Sequence, residues 1–180
     1  MGLERLWAGW RSDHLRSVTD QPVAEGEDGR VFCGILASGE PDEDTYVVWR
    51  GDRTLAILNA FPYASGHLLV MPHRHVADLE ALEGDEAAEL WEAVRAGVLA
   101  VKGAYRPDGV NVGANLGRAA GAGVPGHLHL HVVPRWAADS SFVTSIAEAR
   151  VLPEALGTTY ERLRAGWPGG TGSPQAQPRS

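Results

Sequence analysis

Three histidines alternate with apolar residues in the segment GHLHLHVVP, at positions 127, 129 and 131. Alternate residues of a β-strand point to the same face, so His127, His129 and His131 would form a row of imidazoles roughly 6 to 7 Å apart. Such a row can hold a metal ion, or it can hold a phosphate group while one ring acts as the nucleophile. A structural strand that carries its histidines by chance is the third interpretation. The strict alternation beside a glycine-rich loop favours phosphate chemistry, and no carboxylate or thiol lies close by in sequence to complete a metal site.

The elements that would position this row form an α+β pattern. Short apolar runs bounded by turn residues predict about five strands, and their short connections favour an antiparallel sheet. The predicted strands cover residues 45–50, 53–59, 66–72, 109–115 and 127–134. Apolar residues at spacings of three and four from Leu90 to Tyr105 predict one long helix. The segment ALGTTYERLRAGW predicts a shorter C-terminal helix.

The bulk composition is that of a single soluble domain. The 180 residues divide into a predicted N-terminal arm and loop (1–30), a central domain (31–140), a C-terminal extension (141–168) and a disordered tail (169–180). The net charge of −7 provides no basic field for nucleic acid. The apolar runs are too short to span a membrane, and the start does not have the pattern of a signal peptide. The single cysteine excludes an intramolecular disulfide, so we expect a cytoplasmic location.

Several segments together resemble a known superfamily. The run HLHLHVV matches the histidine-triad pattern His-φ-His-φ-His-φ-φ, in which φ is apolar. The segment ILNAFPYASGHLLVMPHRHV (57–76) is similar to the nucleotide-site strand pair of that superfamily, and NVGANLGRAAGAGVPGHLHLHVVPRW (111–136) is similar to its phosphate loop and triad. Through LERLWAGWRSDHL near the start and PRWAADSSFV after the triad, the chain most resembles the actinobacterial diadenosine-tetraphosphate phosphorylase branch, which is related to the fragile-histidine-triad hydrolases. The resemblance implies a HIT-like fold for residues 31–140 and a homodimer that joins two sheets.

The resemblance assigns roles to the histidines. His129 would be the nucleophile that forms a covalent nucleotidyl-histidine at the α-phosphate of a nucleotide, which inorganic phosphate or water then releases. His131 would contact the phosphate oxygens, and His127 would orient and support the nucleophile. His67 matches the family's fourth histidine near the phosphate. Asn59 matches a residue that hydrogen-bonds the ribose hydroxyls, although an asparagine there also fits ordinary turn chemistry.

The glycine-rich loop before the triad has its own matches and one departure. Asn115 matches a phosphate-side amide, although it too fits turn chemistry, while Gly123 and Val124 match positions that line the leaving-group side. Phosphorylase relatives place a small hydroxyl residue where this chain has Gly123. Because glycine supplies no side-chain donor, the choice between phosphate and water as the acceptor stays open at this stage.

A second departure concerns zinc. Many relatives carry a zinc site made of a Cys-x-x-Cys pair, a later histidine and the first triad histidine. Cys33, His75 and His127 match three of these ligands, but Arg30 stands where the first cysteine would be. Structural zinc sites are normally four-coordinate, so we expect no metal and no other cofactor in this chain.

Three functions are compatible with these observations. The first is a nucleotidyl transferase or hydrolase that cleaves dinucleoside polyphosphates such as diadenosine tetraphosphate, with a small-molecule nucleotide and inorganic phosphate as partners and no nucleic acid or membrane. The second is a nucleotide-binding module that has lost turnover, and the third is a HIT-fold enzyme repurposed for another small molecule. If the first is right, a neutral nucleophile beside a protonated imidazole would give a bell-shaped dependence of turnover on pH.

Overall fold

The computed structural model describes residues 30–137, 139 and 154–170. Most of the predicted N-terminal arm (1–29), much of the predicted C-terminal extension (140–153) and nearly all of the predicted tail (171–180) lie outside the described residues. None of the helices in the described ranges combines the length and the apolar character needed to cross a bilayer.

A five-stranded antiparallel sheet forms the centre of the fold, as the sequence predicts. Its strands are β1 (Val47–Arg50), β2 (Thr54–Leu58), β3 (Leu68–Pro72), β4 (Gly109–Ala114) and β5 (Leu130–Arg135). They lie in the order β1-β2-β3-β5-β4, and every neighbouring pair is antiparallel. Since β3 and β5 are adjacent, the end of the β2–β3 loop lies beside the histidine-rich segment.

The fifth strand begins later than predicted, at Leu130 rather than at His127. Residues 130–132 pair with 70–68 of β3, so continuing the register would place Leu128 opposite Pro72. Proline has no backbone N–H and cannot continue the ladder. The N–H of Leu128 instead donates to the carbonyl of Val76 at 2.6 Å. Only the third triad histidine therefore lies in a regular strand.

Helices cover both faces of the sheet. They are α1 (Arg30–Ser38), α2 (Asp42–Thr45), α3 (Gly84–Tyr105) and α4 (Leu156–Ala165), with 3₁₀ turns at Leu79–Ala81 and Arg118–Ala120. The long helix α3 confirms the prediction, and it ends at Arg106, which is left-handed at φ 47° and precedes Pro107. The C-terminal helix α4 is also confirmed. The sequence analysis did not assign α1 and α2.

The side chains of the strands alternate between two apolar clusters. Leu68 and Val70 belong to the larger cluster, which packs against α3 and α4. Leu69 and Met71 belong to the smaller one, which packs against Phe32 of α1. Because both faces are covered, β2 and β3 are buried along their whole length and read as continuous apolar runs. The histidines of the triad alternate with residues of the larger cluster and so face the side of α1.

Candidate active site

One ring nitrogen of His129 donates a hydrogen bond to the backbone, and the other keeps its lone pair and can act as a base. Its Nδ1 lies 2.8 Å from the backbone carbonyl oxygen of His127. A carbonyl oxygen only accepts, so Nδ1 must carry the proton and Nε2 must present its lone pair. The side chain is buried, with the residue 6% exposed, and this burial lowers the pKa of His129. The ring is therefore neutral near pH 7, which is the form required of a nucleophile.

His131 is held by His67 in the opposite tautomer. The backbone N–H of Tyr63 donates to Nδ1 of His67 at 3.0 Å, and the side-chain amide of Asn59 lies 3.4 Å from the same nitrogen. Nδ1 of His67 is therefore an acceptor, and its Nε2 donates to Nδ1 of His131 at 2.9 Å. A neutral His131 must then carry its proton on Nε2.

The Nε2–H of His131 is available for a ligand. Within the described residues this nitrogen is buried and has no hydrogen-bond partner. Burial lowers the pKa of His131 to about 4, and repulsion from His129 when that ring is protonated contributes to the shift. The rings of His129 and His131 lie 5.1 Å apart between centroids. A ring with a free nitrogen lone pair and a ring with a free N–H thus lie side by side, an arrangement that can both attack and hydrogen-bond a phosphate group.

His127 contributes its backbone carbonyl to this site, while its ring belongs to a second cluster. The ring is buried, with the residue 1% exposed, and its Nε2 lies 2.9 Å from the carbonyl oxygen of Pro72. Nε2 therefore carries the proton, and Nδ1 faces the Sγ of Cys33 at 3.7 Å. The expected row of three rings is thus wrong for its first member, because the ring of His127 contacts Cys33 and His75 instead of joining the pair formed by His129 and His131.

The second cluster offers three metal donors. Within the described part of the chain, these donors are Cys33, His75 and His127, whose ligand atoms lie within 4.8 Å of one another. Arg30 lies one helical turn before Cys33 in α1, on the same side of the helix. Its guanidinium has no lone pair to donate to a metal. The three donors converge, but they do not complete the four-coordinate site that structural zinc prefers.

The remaining predicted residues occupy the surroundings of the histidines. Asn59 lies beside His67, but its Oδ1 also accepts the backbone N–H of Phe61 at 2.9 Å, as in the turn chemistry considered above. Asn115 donates from Nδ2 to the carbonyl of Gly121 at 3.3 Å, so its amide holds the glycine-rich loop together.

The two loop residues nearest the triad differ in their surroundings. Val124 packs against the smaller apolar cluster, and its carbonyl accepts the N–H of His127 at 3.4 Å. Gly123 is exposed, and a β-carbon there would meet no atom within 4 Å. A side chain could therefore be accommodated at Gly123 without a clash.

Two aromatic residues of the site were not identified from the sequence. Phe32 of α1 lies 5.6 Å from the His129 ring between centroids, and its side chain contributes to the burial that keeps this histidine neutral. Tyr63 lies 4.7 Å from the ring of His67. Neither residue belongs to a sequence pattern of fixed spacing, so no pattern in the sequence points to it. Tyr63 acts on His67 through its backbone N–H, and any residue except proline supplies such a group.

A family model described as HIT domain matches residues 40–138, more than half of the chain. The chain belongs to the HIT family, the histidine triad family that its motifs resemble. The AP-4-A phosphorylase of Mycobacterium tuberculosis is 40% identical over 167 residues, covering 92% of this chain and 85% of that protein. The asymmetrical bis(5'-nucleosyl)-tetraphosphatase of Schizosaccharomyces pombe is 35% identical over 95 residues, covering 53% of this chain and 52% of that protein.

The fold is also that of solved HIT proteins. The crystal structure of a Zn-bound histidine triad family protein from Mycobacterium smegmatis superposes with a TM-score of 0.62 at 30% identity. The match covers 76% of this chain and 91% of that one. The HIT-like fold expected from the motifs is confirmed.

Proposed function

We propose that this chain cleaves dinucleoside polyphosphates, such as diadenosine tetraphosphate, at the α-phosphate through a covalent nucleotidyl-histidine on His129. One observation carries the proposal: the His129 ring is buried and neutral, with its Nε2 lone pair beside the Nε2–H of His131. The activities for which two relatives are named, AP-4-A phosphorylase and bis(5'-nucleosyl)-tetraphosphatase, support the substrate class.

The reaction proceeds in two displacements. In the first, Nε2 of His129 attacks the α-phosphorus, the N–P bond forms, and the P–O bond to the rest of the substrate breaks with its electron pair on the departing oxygen. The Nε2–H of His131 hydrogen-bonds the departing phosphate oxygen and stabilises the negative charge that grows on it. In the second, an oxygen of water or inorganic phosphate attacks the same phosphorus, and the N–P electron pair returns to His129.

The substrate is held by local donors, since the net charge of −7 works against a polyanion. The glycine-rich loop 117–126 would supply backbone N–H groups, and Asn59 would bond the ribose through the second lone pair of its Oδ1, since the Phe61 N–H takes only one. Gly123 leaves room for an acceptor without fixing it by a side chain. We therefore propose that the chain uses both water and phosphate, with lower selectivity than an enzyme that has a hydroxyl at this position.

Two further proposals concern the assembly and the metal. The chain forms a homodimer through β4, which is an edge strand whose Val112 is 42% exposed. The half-exposed Trp91 and Leu99 of α3 offer further apolar surface. Trp91 is thus free for an interface rather than part of the core. The protein carries no resident zinc, because Arg30 replaces the fourth donor.

The function is tested by incubating the protein with diadenosine tetraphosphate, with and without inorganic phosphate, and separating the products. ADP with ATP shows phosphorolysis, and AMP with ATP shows hydrolysis. The matched control is His129→Asn, whose amide can still donate to the His127 carbonyl but lacks a nucleophilic nitrogen at the position of Nε2. Wild-type protein that releases neither product, or His129→Asn that retains turnover, contradicts the proposal. In the first case a binding module or a repurposed enzyme is the better interpretation.

A further inference from the structure

Tyr63 lies against the histidine pair that supplies the donor, and its role is not given by the triad motif. Its ring is nearly parallel to that of His131, at 14° and 6.0 Å between centroids, and it lies 4.7 Å from the ring of His67. This is the offset stacking that aromatic rings prefer. The residue is 50% exposed, so the ring forms the solvent side of the pair.

We propose that the ring of Tyr63 is a positioning element that holds the plane of His131 so that its Nε2–H points at the leaving oxygen of the substrate. The proposal rests on the function proposed above. Within the described residues, the hydrogen bond to the His131 ring comes from His67 to Nδ1. A single hydrogen bond restrains one nitrogen, but it still allows the plane of the ring to tilt about the χ2 bond. A flat ring stacked on the imidazole removes this freedom.

The backbone and the side chain of Tyr63 have separable tasks. The backbone N–H sets the tautomer of His67 and, through it, that of His131. A side-chain substitution other than proline leaves this N–H in place. The ring alone supplies the stacking. Substitution of the side chain therefore isolates the positioning role.

The test compares two AMP esters, one of 4-nitrophenol and one of unsubstituted phenol. The nitrophenolate departs readily as an anion, whereas the more basic phenolate depends more strongly on a hydrogen bond to the leaving oxygen. If Tyr63 aims the hydrogen-bond donor, Tyr63→Leu should lower kcat on the phenyl ester about tenfold, a modest part of what one such donor supplies. On the nitrophenyl ester the loss should be under about threefold, since less charge has to be stabilised on that oxygen. Tyr63→Phe keeps the ring and should behave as wild type on both.

Calorimetry with AMP on the same samples establishes that each variant is folded with an intact nucleotide site, and Tyr63→Met serves as a second non-aromatic variant if Tyr63→Leu does not fold. Equal losses on the two esters, or a Tyr63→Phe variant as impaired as Tyr63→Leu, overturn the positioning role. Wild-type protein inert on both esters overturns the proposed function first, and this inference with it.

A double variant separates action through His131 from a general structural effect. In a His131→Gln background, Tyr63→Leu should cost no further activity on the phenyl ester, because the group that it positions is already absent. If the two losses multiply as independent effects, Tyr63 acts elsewhere and the inference is wrong.

Discussion

The lowered pKa of His131 makes the stability of the protein depend on pH in a predictable direction. The pKa falls from 6.5 to about 4 in the folded chain, because the ring is buried and lies beside His129. As the pH drops below 6.5, the unfolded chain takes up a proton at this residue while the folded chain does not. The stabilisation is therefore complete above pH 6.5 and is lost as the pH falls towards 4.

The magnitude follows from the size of the pH window. Between pH 7.5 and pH 5, about 1.5 pH units lie below the unperturbed pKa of 6.5, and each unit corresponds to about 1.36 kcal/mol. The titration of His131 should therefore lower the free energy of unfolding by about 2 kcal/mol over this range. The perturbation is His131→Asn, whose side-chain oxygen can still accept the N–H of His67 but which does not titrate. The assay is the free energy of unfolding by urea at both pH values for both proteins.

Between the two pH values, the free energy of unfolding of the wild type should fall by about 2 kcal/mol more than that of His131→Asn. His73, whose pKa is also lowered, contributes to both proteins and cancels in the difference, whereas the interaction between His131 and His129 is part of what the difference measures. A difference below about 0.5 kcal/mol would mean that the ring titrates at its ordinary pKa, and the buried neutral donor would have to be abandoned.

Three further predictions concern catalysis, metal content and backbone strain. The bell-shaped pH profile expected from the sequence should not be seen, because a neutral His131 already carries an Nε2–H. Turnover should rise as His129 deprotonates and then stay level to about pH 8. A fall in turnover between about pH 6 and 8 would contradict this. Elemental analysis of the purified protein should give well under one zinc per chain, whereas about one zinc would show that Cys33, His75 and His127 recruit another ligand. Gly66→Ala should destabilise the protein by about 1–3 kcal/mol in urea unfolding, because Gly66 has φ +88° and an added β-carbon would lie 2.9 Å from the Tyr105 ring. Gly103→Ala, in α3 with no atom within 4 Å of the new β-carbon, is the matched control and should cost nothing.

Much of the fold could be predicted because the determining signals are local. The apolar runs of β2 and β3 and the helical spacing from Leu90 to Tyr105 are periodic patterns, and the structure confirms all of them. The early end of the β3–β5 ladder depends on Pro72 meeting Leu128 across the sheet, which only the register reveals. Helix α1 is nine residues long and packs largely through Phe32, a weak signal in sequence.

The candidate site, like the fold, could be predicted from the sequence only in part. The residue types at 127, 129 and 131 suggested phosphate chemistry, and His129 and His131 do lie side by side. The tautomers could not be read from the sequence, because they are set by backbone groups: the carbonyls of His127 and Pro72 and the N–H of Tyr63. Backbone groups are present in every residue, so only the folded geometry shows which of them act.

The covalent nucleotidyl-histidine is the central claim, and the stereochemistry at phosphorus tests it most directly. The measurement uses diadenosine tetraphosphate made chiral at the α-phosphorus with one sulfur, and the configuration of the released nucleotide is determined after turnover in oxygen-18 water. Each in-line displacement inverts the phosphorus, so attack by His129 followed by attack of water predicts overall retention. Overall inversion would mean that water attacks the substrate directly, and His129 would then be a base or a binding group and not the nucleophile.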